Sequence, residues 1–477
     1  MRPSNCLQFL FLCTLYLFPT TSAWAEDHWM GIYFNNKKIG FTHTQSTSDS
    51  SGKTVTSKTF LRMSSEGFDQ STTFTQTTHL DTKGKLIDFS LLQELMGSRQ
   101  RIQGQVKGDR FVYRVQGEGF DRERSLLFDP EFFVSANYIE KIVHDGLVVG
   151  RKGELSMMTE SFQILNPLKY VVQRKEQLEI QGELREAFVI DQKLSGAESS
   201  TWIEPDGKIL KETTQNGFVS LWEPEEKATD LGNEIFSVGS FITFSLIKTQ
   251  HPIKNPRELK SQSFQFFQLS GPDLIPEDHR QKIVRSQQAE DGTYSTIVQV
   301  DSESGNPAKK IRLPISNPTF SNYLEDTAQV QSRHAMIRAL GRELVKKNED
   351  AWQAAKDINL WVNSNLEKTL VDSTTALDAL RNRRGECQSH TYLFAAIARS
   401  VGIPTKIVNG LLYSEKDEGF LYHAWPEVYA GEWRALDPTL GQNHVDASHI
   451  KLLEEEQTAP LRLMEFIGKI KIEVIEK

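Results

Sequence analysis

The hydrophobic period of this chain changes from strand-like to helical near residue 320, and that change limits the folds open to it. Residues 26–250 alternate Thr, Val, Phe and Ile with polar residues, and turn signals recur between the runs. A two-residue period puts one face of a strand in the core and the other in water. From Asn322 the period becomes helical. Apolar residues fall at Val330, Met336, Ile337, Leu340, Leu344 and Val345 within 327–347, and at Trp352, Ala355, Ile358, Trp361, Val362 and Leu366 within 350–367. A third, shorter helix is expected from Thr375 to Arg383, capped by Ser373 or Thr374. Strands first and helices later predict an α+β protein, with a β-rich N-terminal region ahead of a mixed C-terminal domain.

Within the β region, Asn35-Asn36 separates Met30–Phe34 from Lys38–Thr42 and reads as a hairpin turn. Thr54–Arg62, Thr72–Leu80, Phe111–Gln116 and Glu186–Gln192 alternate as strands do, and a short helix is expected within 130–148. Residues 79–87 (HLDTKGKLI) and 202–210 (WIEPDGKIL) share one pattern: a strand end, an acidic residue, a Gly turn, then Lys and two apolar residues. Gly84 and Gly207 would take the positive-φ position of each turn. The repeat suggests a large curved antiparallel sheet, similar to those of periplasmic lipoprotein-carrier-like proteins. His251-Pro252 and Asn255-Pro256 mark a boundary. The expected domains are therefore 26–255, a small β module or connector over 256–320, and 321–477.

The first 25 residues read as a secretory signal peptide. Arg2 precedes the apolar run Cys6–Pro19, and Ala23-Trp24-Ala25 supplies a small–x–small cleavage pattern. The run is short for a stable transmembrane anchor. The expectation is thus an exported protein, periplasmic or secreted. Of three cysteines, Cys6 and Cys13 would leave with the signal, so Cys387 would be the only thiol of the mature chain and no internal disulfide would form. The formal charge of −8 with no basic block argues against a nucleic-acid partner, because phosphate binding needs clustered Lys and Arg.

Residues 383–404 read RRGECQSHTYLFAAIARSVGIP. Cys387 opens a helix that Gly402 and Pro404 end. The free N–H groups of a first helical turn favour thiolate, the reactive form of cysteine. Three strands are expected next: Thr405–Tyr413, Tyr422–Tyr429 and Trp433–Asp437. His423 would begin the second and Asp437 end the third, which brings the two side by side across a tight turn. Cys387, His423 and Asp437 then have the composition of a nucleophile, a base and an orienting carboxylate. Trp425 would share His423's strand face, and His390 would lie near Cys387 on the helix surface. Each has a packing role as its alternative. His444 and His449 show no partner spacing. The residues imply no metal, since Cys387, His390 and His423 lack a further thiol or carboxylate pattern. They imply no cofactor either.

The segments G-E-C, Y-H-A-W-P-E-V and W-R-A-L-D-P-T resemble the three core motifs of the transglutaminase-like superfamily. The resemblance spans roughly 322–477. It implies a papain-like core of helices packed on an antiparallel sheet, with Cys387 as nucleophile, His423 as base and acid, and Asp437 as orienter. Glu386 departs from the Asp or Trp that often precedes the Cys, and its charge would raise the thiol's pKa. The implied activity is attack on a peptide or carboxamide carbonyl through a Cys387 thioester, ending in hydrolysis or acyl transfer. The implied partner is a protein or peptide substrate, with cell-wall peptide among the candidates. Two alternatives stay open: a silent scaffold, or a lipid or lipoprotein binder working through the β-rich half.

Overall fold

A computed structural model describes residues 27–475 except 66–67, 96, 129–130, 233–235, 238–244, 347–348, 370–372 and 455–461. The expected signal peptide lies outside the described residues. The fold is α+β. Contacts divide the chain into two compact units, with the boundary between Ser237 and Val238.

The N-terminal unit is built on a 15-stranded sheet. It is antiparallel apart from a short parallel pairing of Phe236–Ser237 onto Met63 and Ser64. Two meanders make it. One runs outward from Asp27–Phe34 to Phe120–Leu127, the other from Lys152–Thr159 to Phe218–Trp222. They are joined where Asp27–Phe34 pairs with Phe218–Trp222, Ile32 opposite Ser220. Asn35 and Asn36 turn the first hairpin at φ 49° and 62°. Both residues of such a turn need positive φ, which Asn tolerates better than most. The repeated motif forms the same turn twice. Gly84 N–H donates to Asp81 O and Gly207 N–H to Glu204 O, each at 2.9 Å. The expected short helix is Tyr138–His144, which buries Tyr138, Ile139 and Ile142. These pack with Met30, Val172, Ile190, Ile203 and Ile209.

The C-terminal unit places helices on a five-stranded sheet. The helices are Ala335–Leu344, Ala351–Asn365, Ala376–Asn382 and Cys387–Ser400. The first is shorter than its periodic pattern, because Asp326 Oδ1 accepts the Arg333 N–H at 2.9 Å and holds a turn there. The cap of the third is Thr375, whose hydroxyl accepts the Asp378 N–H. The expected caps, Ser373 and Thr374, have other duties: Ser373 Oγ donates to Arg384 O and Thr374 Oγ1 to Asp378 Oδ2. The segment expected as a module or connector supplies Ser261–Leu269, Gln281–Gln288 and Tyr294–Asp301 to a four-stranded sheet whose fourth strand is Lys471–Ile475. No helix among the described residues is long and apolar enough to cross a membrane.

Candidate active site

The Cys387–Ser400 helix is buried on all sides from Cys387 to Arg399, so its polar side chains must find partners inside the protein. Gln388 Nε2 donates to Tyr392 Oη at 2.6 Å and Ser389 Oγ to Ser373 O at 3.0 Å. Thr391 Oγ1 donates to Ala424 O at 3.0 Å, which ties the helix to the strand carrying His423. Ala424 also packs on Cys387. Ahead of the helix, Gly385 has φ 151°, and a Cβ there would meet Ser389 Oγ at 2.3 Å. Glycine is what lets the chain turn this tightly into Cys387.

His423 sits in the middle of the strand Gly419–Tyr429, opposite Gly410, rather than at a strand start. Asp437 lies beyond the short strand Trp433–Ala435 and exchanges two backbone hydrogen bonds with Gln442. The expected end-to-end adjacency is therefore replaced by a diagonal reach from a turn. The two side chains still meet: His423 Nε2 is 2.9 Å from Asp437 Oδ2, and both are fully buried. Asp437 Oδ1 accepts the N–H groups of Thr439 and Leu440 at 2.7 and 3.1 Å. That turn orients the carboxylate.

Electrostatics follow from this enclosure. Burial alone would lower the pKa of His423, but Asp437 and Cys387 outweigh it and raise it from 6.5 to about 9. Burial would raise Asp437, yet His423 and His449 hold it well below the usual carboxylate range. His423 Nδ1 has no other bonding partner among the described residues, and the Cys387 thiol is near enough to act on the ring. The structure thus brings Cys387, His423 and Asp437 into one buried group.

Trp425 lies on the same face as His423, with ring centroids 6.1 Å apart. Its ring crosses Gly410, where a Cβ would meet Trp425 Cη2 at 2.6 Å. It also packs with Val408, Ala435 and Val445. His390 donates from Nδ1 to Glu386 O at 2.8 Å, and burial lowers its pKa to about 4, so the ring is neutral. His444 packs against the Trp352 ring at 5.7 Å.

His449 is the residue that sequence spacing missed. It opens the strand His449–Leu453, and its Nε2 lies 3.2 Å from the same Asp437 oxygen that bonds His423. Only strand pairing places it there: Leu412 faces His449, and Gly410 faces His423 on the other side. Nothing in the local spacing announces such a contact.

Among the described residues, two groups bring three donor-type atoms within 4.8 Å: His423, Asp437 and His449, and also Asp278, Glu427 and Glu454. The first is engaged in its own N–H···O bonds. The second surrounds the Lys451 ammonium, which sits 2.5 Å from Asp278, 2.8 Å from Glu427 and 2.6 Å from Glu454. Glu427, from the motif after His423, is thereby paired with a cation that stands two strands away in the same sheet.

Residues 338–438 match the transglutaminase-like superfamily. An uncharacterised protein of Mycobacterium leprae (strain TN) is 32% identical over 130 residues, which is 25% of this chain and 46% of that protein. The chain thus spans under half the length of that relative. A solved proposed cysteine protease from Cytophaga hutchinsonii aligns with a TM-score of 0.31 and 15% identity, over 45% of this chain and 82% of its own. A β-barrel-like domain of unknown function from Brucella abortus aligns with a TM-score of 0.34 and 10% identity, over 42% of this chain and 95% of its own. The C-terminal unit carries a domain of the transglutaminase-like superfamily.

Proposed function

We propose that this protein is an exported thiol enzyme in which Cys387 attacks the carbonyl carbon of a peptide or carboxamide. The observation that carries the reading is the buried Asp437–His423 bond, with Cys387 acting on the same imidazole from the start of a helix. In this reading Asp437 orients His423 and stabilises its charged form, and the imidazolium holds Cys387 as thiolate. Attack by Sγ forms the thioester. The electron pair of the C–N bond leaves with the amine, which takes its proton from His423. Water or a second amine then releases the acyl group. The positive end of the helix dipole at Cys387 is suited to stabilise the carbonyl oxygen as it gains charge. Export rests on the signal-like pattern of residues 1–25, and the substrate class on the superfamily.

The thiol is fully enclosed, so a substrate reaches it only when the surrounding chain moves. The same enclosure is what favours the rival reading, a silent scaffold. Iodoacetamide alkylation of the purified chain as a function of pH separates the two. The enzyme reading expects alkylation at neutral pH and a profile that shifts in His423→Ala, with circular dichroism confirming that the variant is folded. An inert Cys387, or an identical profile in the folded variant, overturns it. Trapping the acyl group with an amine probe distinguishes transfer from hydrolysis.

A further inference from the structure

We propose that His449 is a positioning residue: it shares Asp437 with His423 and so sets how tightly the imidazole beside Cys387 holds its proton. The inference rests on the thiol-enzyme reading of the same site and assigns that site a further member.

The geometry is unusual in how fully one carboxylate is used. Asp437 Oδ1 accepts two backbone N–H groups, and Oδ2 faces His423 Nε2 at 2.9 Å and His449 Nε2 at 3.2 Å. The other nitrogen of His449, Nδ1, lies 3.4 Å from Asp446 Oδ1. A neutral imidazole carries one N–H, so a ring facing an acceptor carboxylate on each side favours the doubly protonated form. Asp446 is itself held in place. Its Oδ1 accepts Ser448 N–H and Oγ–H at 2.9 and 2.6 Å, and its Oδ2 accepts Gln442 Nε2 and Arg257 Nη1 at 2.9 and 3.0 Å. In this proposal the site extends as an alternation of charge: Cys387 thiolate, His423 imidazolium, Asp437 carboxylate, His449 imidazolium, Asp446 carboxylate, Arg257 guanidinium.

The groups facing this chain come from several elements. The Asp437 charge also reaches Lys368 and His390. Arg280 donates to the carbonyl oxygens of Asp446 and His449 at 3.2 and 3.3 Å. Trp425 meets the His449 ring edge-on at 5.3 Å. Lys451, two residues along, is committed to Asp278, Glu427 and Glu454. None of these supplies a second anion to His423. The two imidazoles therefore compete for one oxygen, with ring centroids 5.7 Å apart. Burial would lower the pKa of His449, but Asp446 and Asp437 raise it.

A cation beside Asp437 reduces what that carboxylate can give to His423. His423 then releases its proton more readily to the leaving amine when the thioester forms. Removing the His449 charge should make His423 hold its proton more tightly. A purely structural His449 has no such effect; its loss would loosen Asp437 and let the pKa of His423 fall.

The test is an NMR titration of the full chain labelled with 15N-histidine, with His423 assigned by its absence in His423→Gln. In His449→Gln, which keeps a donor but no charge, the His423 midpoint should rise by about one pH unit, a tenfold tighter hold on the proton. An unchanged or lowered midpoint overturns the proposal. If His449→Gln does not fold, Asp446→Asn removes the outer carboxylate that keeps His449 charged. The same upward shift is expected there, and its absence is equally decisive. Iodoacetamide alkylation of the wild-type chain runs in parallel. An inert Cys387 would defeat the thiol-enzyme reading, while the titration would still report on His449 by itself.

Discussion

Asp437 and Glu212 are both buried carboxylates, one in each unit, and their acidities move in opposite directions. Asp437 is held well below the usual range, and Glu212 is pushed well above it. Burial acts the same way on both, raising each. The difference lies in partners. Asp437 has two imidazoles and two backbone N–H groups. Neither oxygen of Glu212 has a partner in bonding geometry among the described residues, and the Thr201 hydroxyl pulls only weakly against the shift. Glu212 stands opposite Thr201 and Ser220 on the sheet face that also carries Ile32. A carboxyl in such surroundings stays protonated. At Asp437 charge is buried and paired; at Glu212 it is buried without a cation and is avoided by protonation.

The contrast can be broken most severely at Asp437. Asp437→Asn leaves buried His423 without its anion and His449 with Asp446 alone. It should cost about 3–5 kcal/mol in urea unfolding, the usual result of stranding a buried charge. Cys387 alkylation at pH 7 should fall roughly 10²–10⁴-fold, the scale on which an orienting carboxylate acts. A variant with unchanged alkylation would separate Asp437 from the thiol.

Titration of His423 gives the next effect. Its pKa is raised from 6.5 to about 9, so the folded chain keeps a proton that the unfolded chain releases. The resulting stability is complete below pH 6.5 and is lost as pH rises through about 9, by on the order of 3 kcal/mol for that shift. The urea midpoint of the wild type should fall across this window, and that of His423→Gln should fall less, since His449 still titrates.

Glu212 should follow a different course. Its pKa is also raised in the fold, so its contribution is present below about 4.5 and lost as pH rises above it. Glu212→Gln removes that loss. It should raise stability at pH 8 by about 2 kcal/mol and change little at pH 4, as judged by thermal unfolding at both pH values. A destabilised variant at pH 8 would mean that the sheet's interior pairs this carboxylate after all.

The smallest expected effect is at Thr391, whose hydroxyl ties the cysteine helix to Ala424. Thr391→Val should cost about 1–2 kcal/mol by urea unfolding, because a buried carbonyl loses its donor. Cys387 alkylation should change by a few-fold as the helix loosens against the strand of His423.

Much of the architecture was legible because local patterns report local structure. Alternation over Thr54–Arg62 and Thr72–Leu80 falls within strands, and the helical period of 350–367 falls on the helix Ala351–Asn365. The errors lie where a long-range contact overrides a local preference. Thr327–Lys347 has a helical period throughout, but Asp326 holds its first residues in a turn. Asp437 was expected at a strand end, yet its bonds to Thr439 and Leu440 make a turn instead.

The sequence by itself determined the order of the elements, the helix that begins at Cys387, and three residue types suited to thiol chemistry. Those depend on side-chain period, caps and turn residues, which act over a few positions. Only the tertiary structure decided that Asp437 serves two histidines and that the thiol is enclosed. His449 reaches Asp437 because its strand pairs with Thr405–Ser414, whose other edge carries His423. A sheet joins residues that are far apart in the chain, so no spacing rule applied to His449 alone could have placed it at the site.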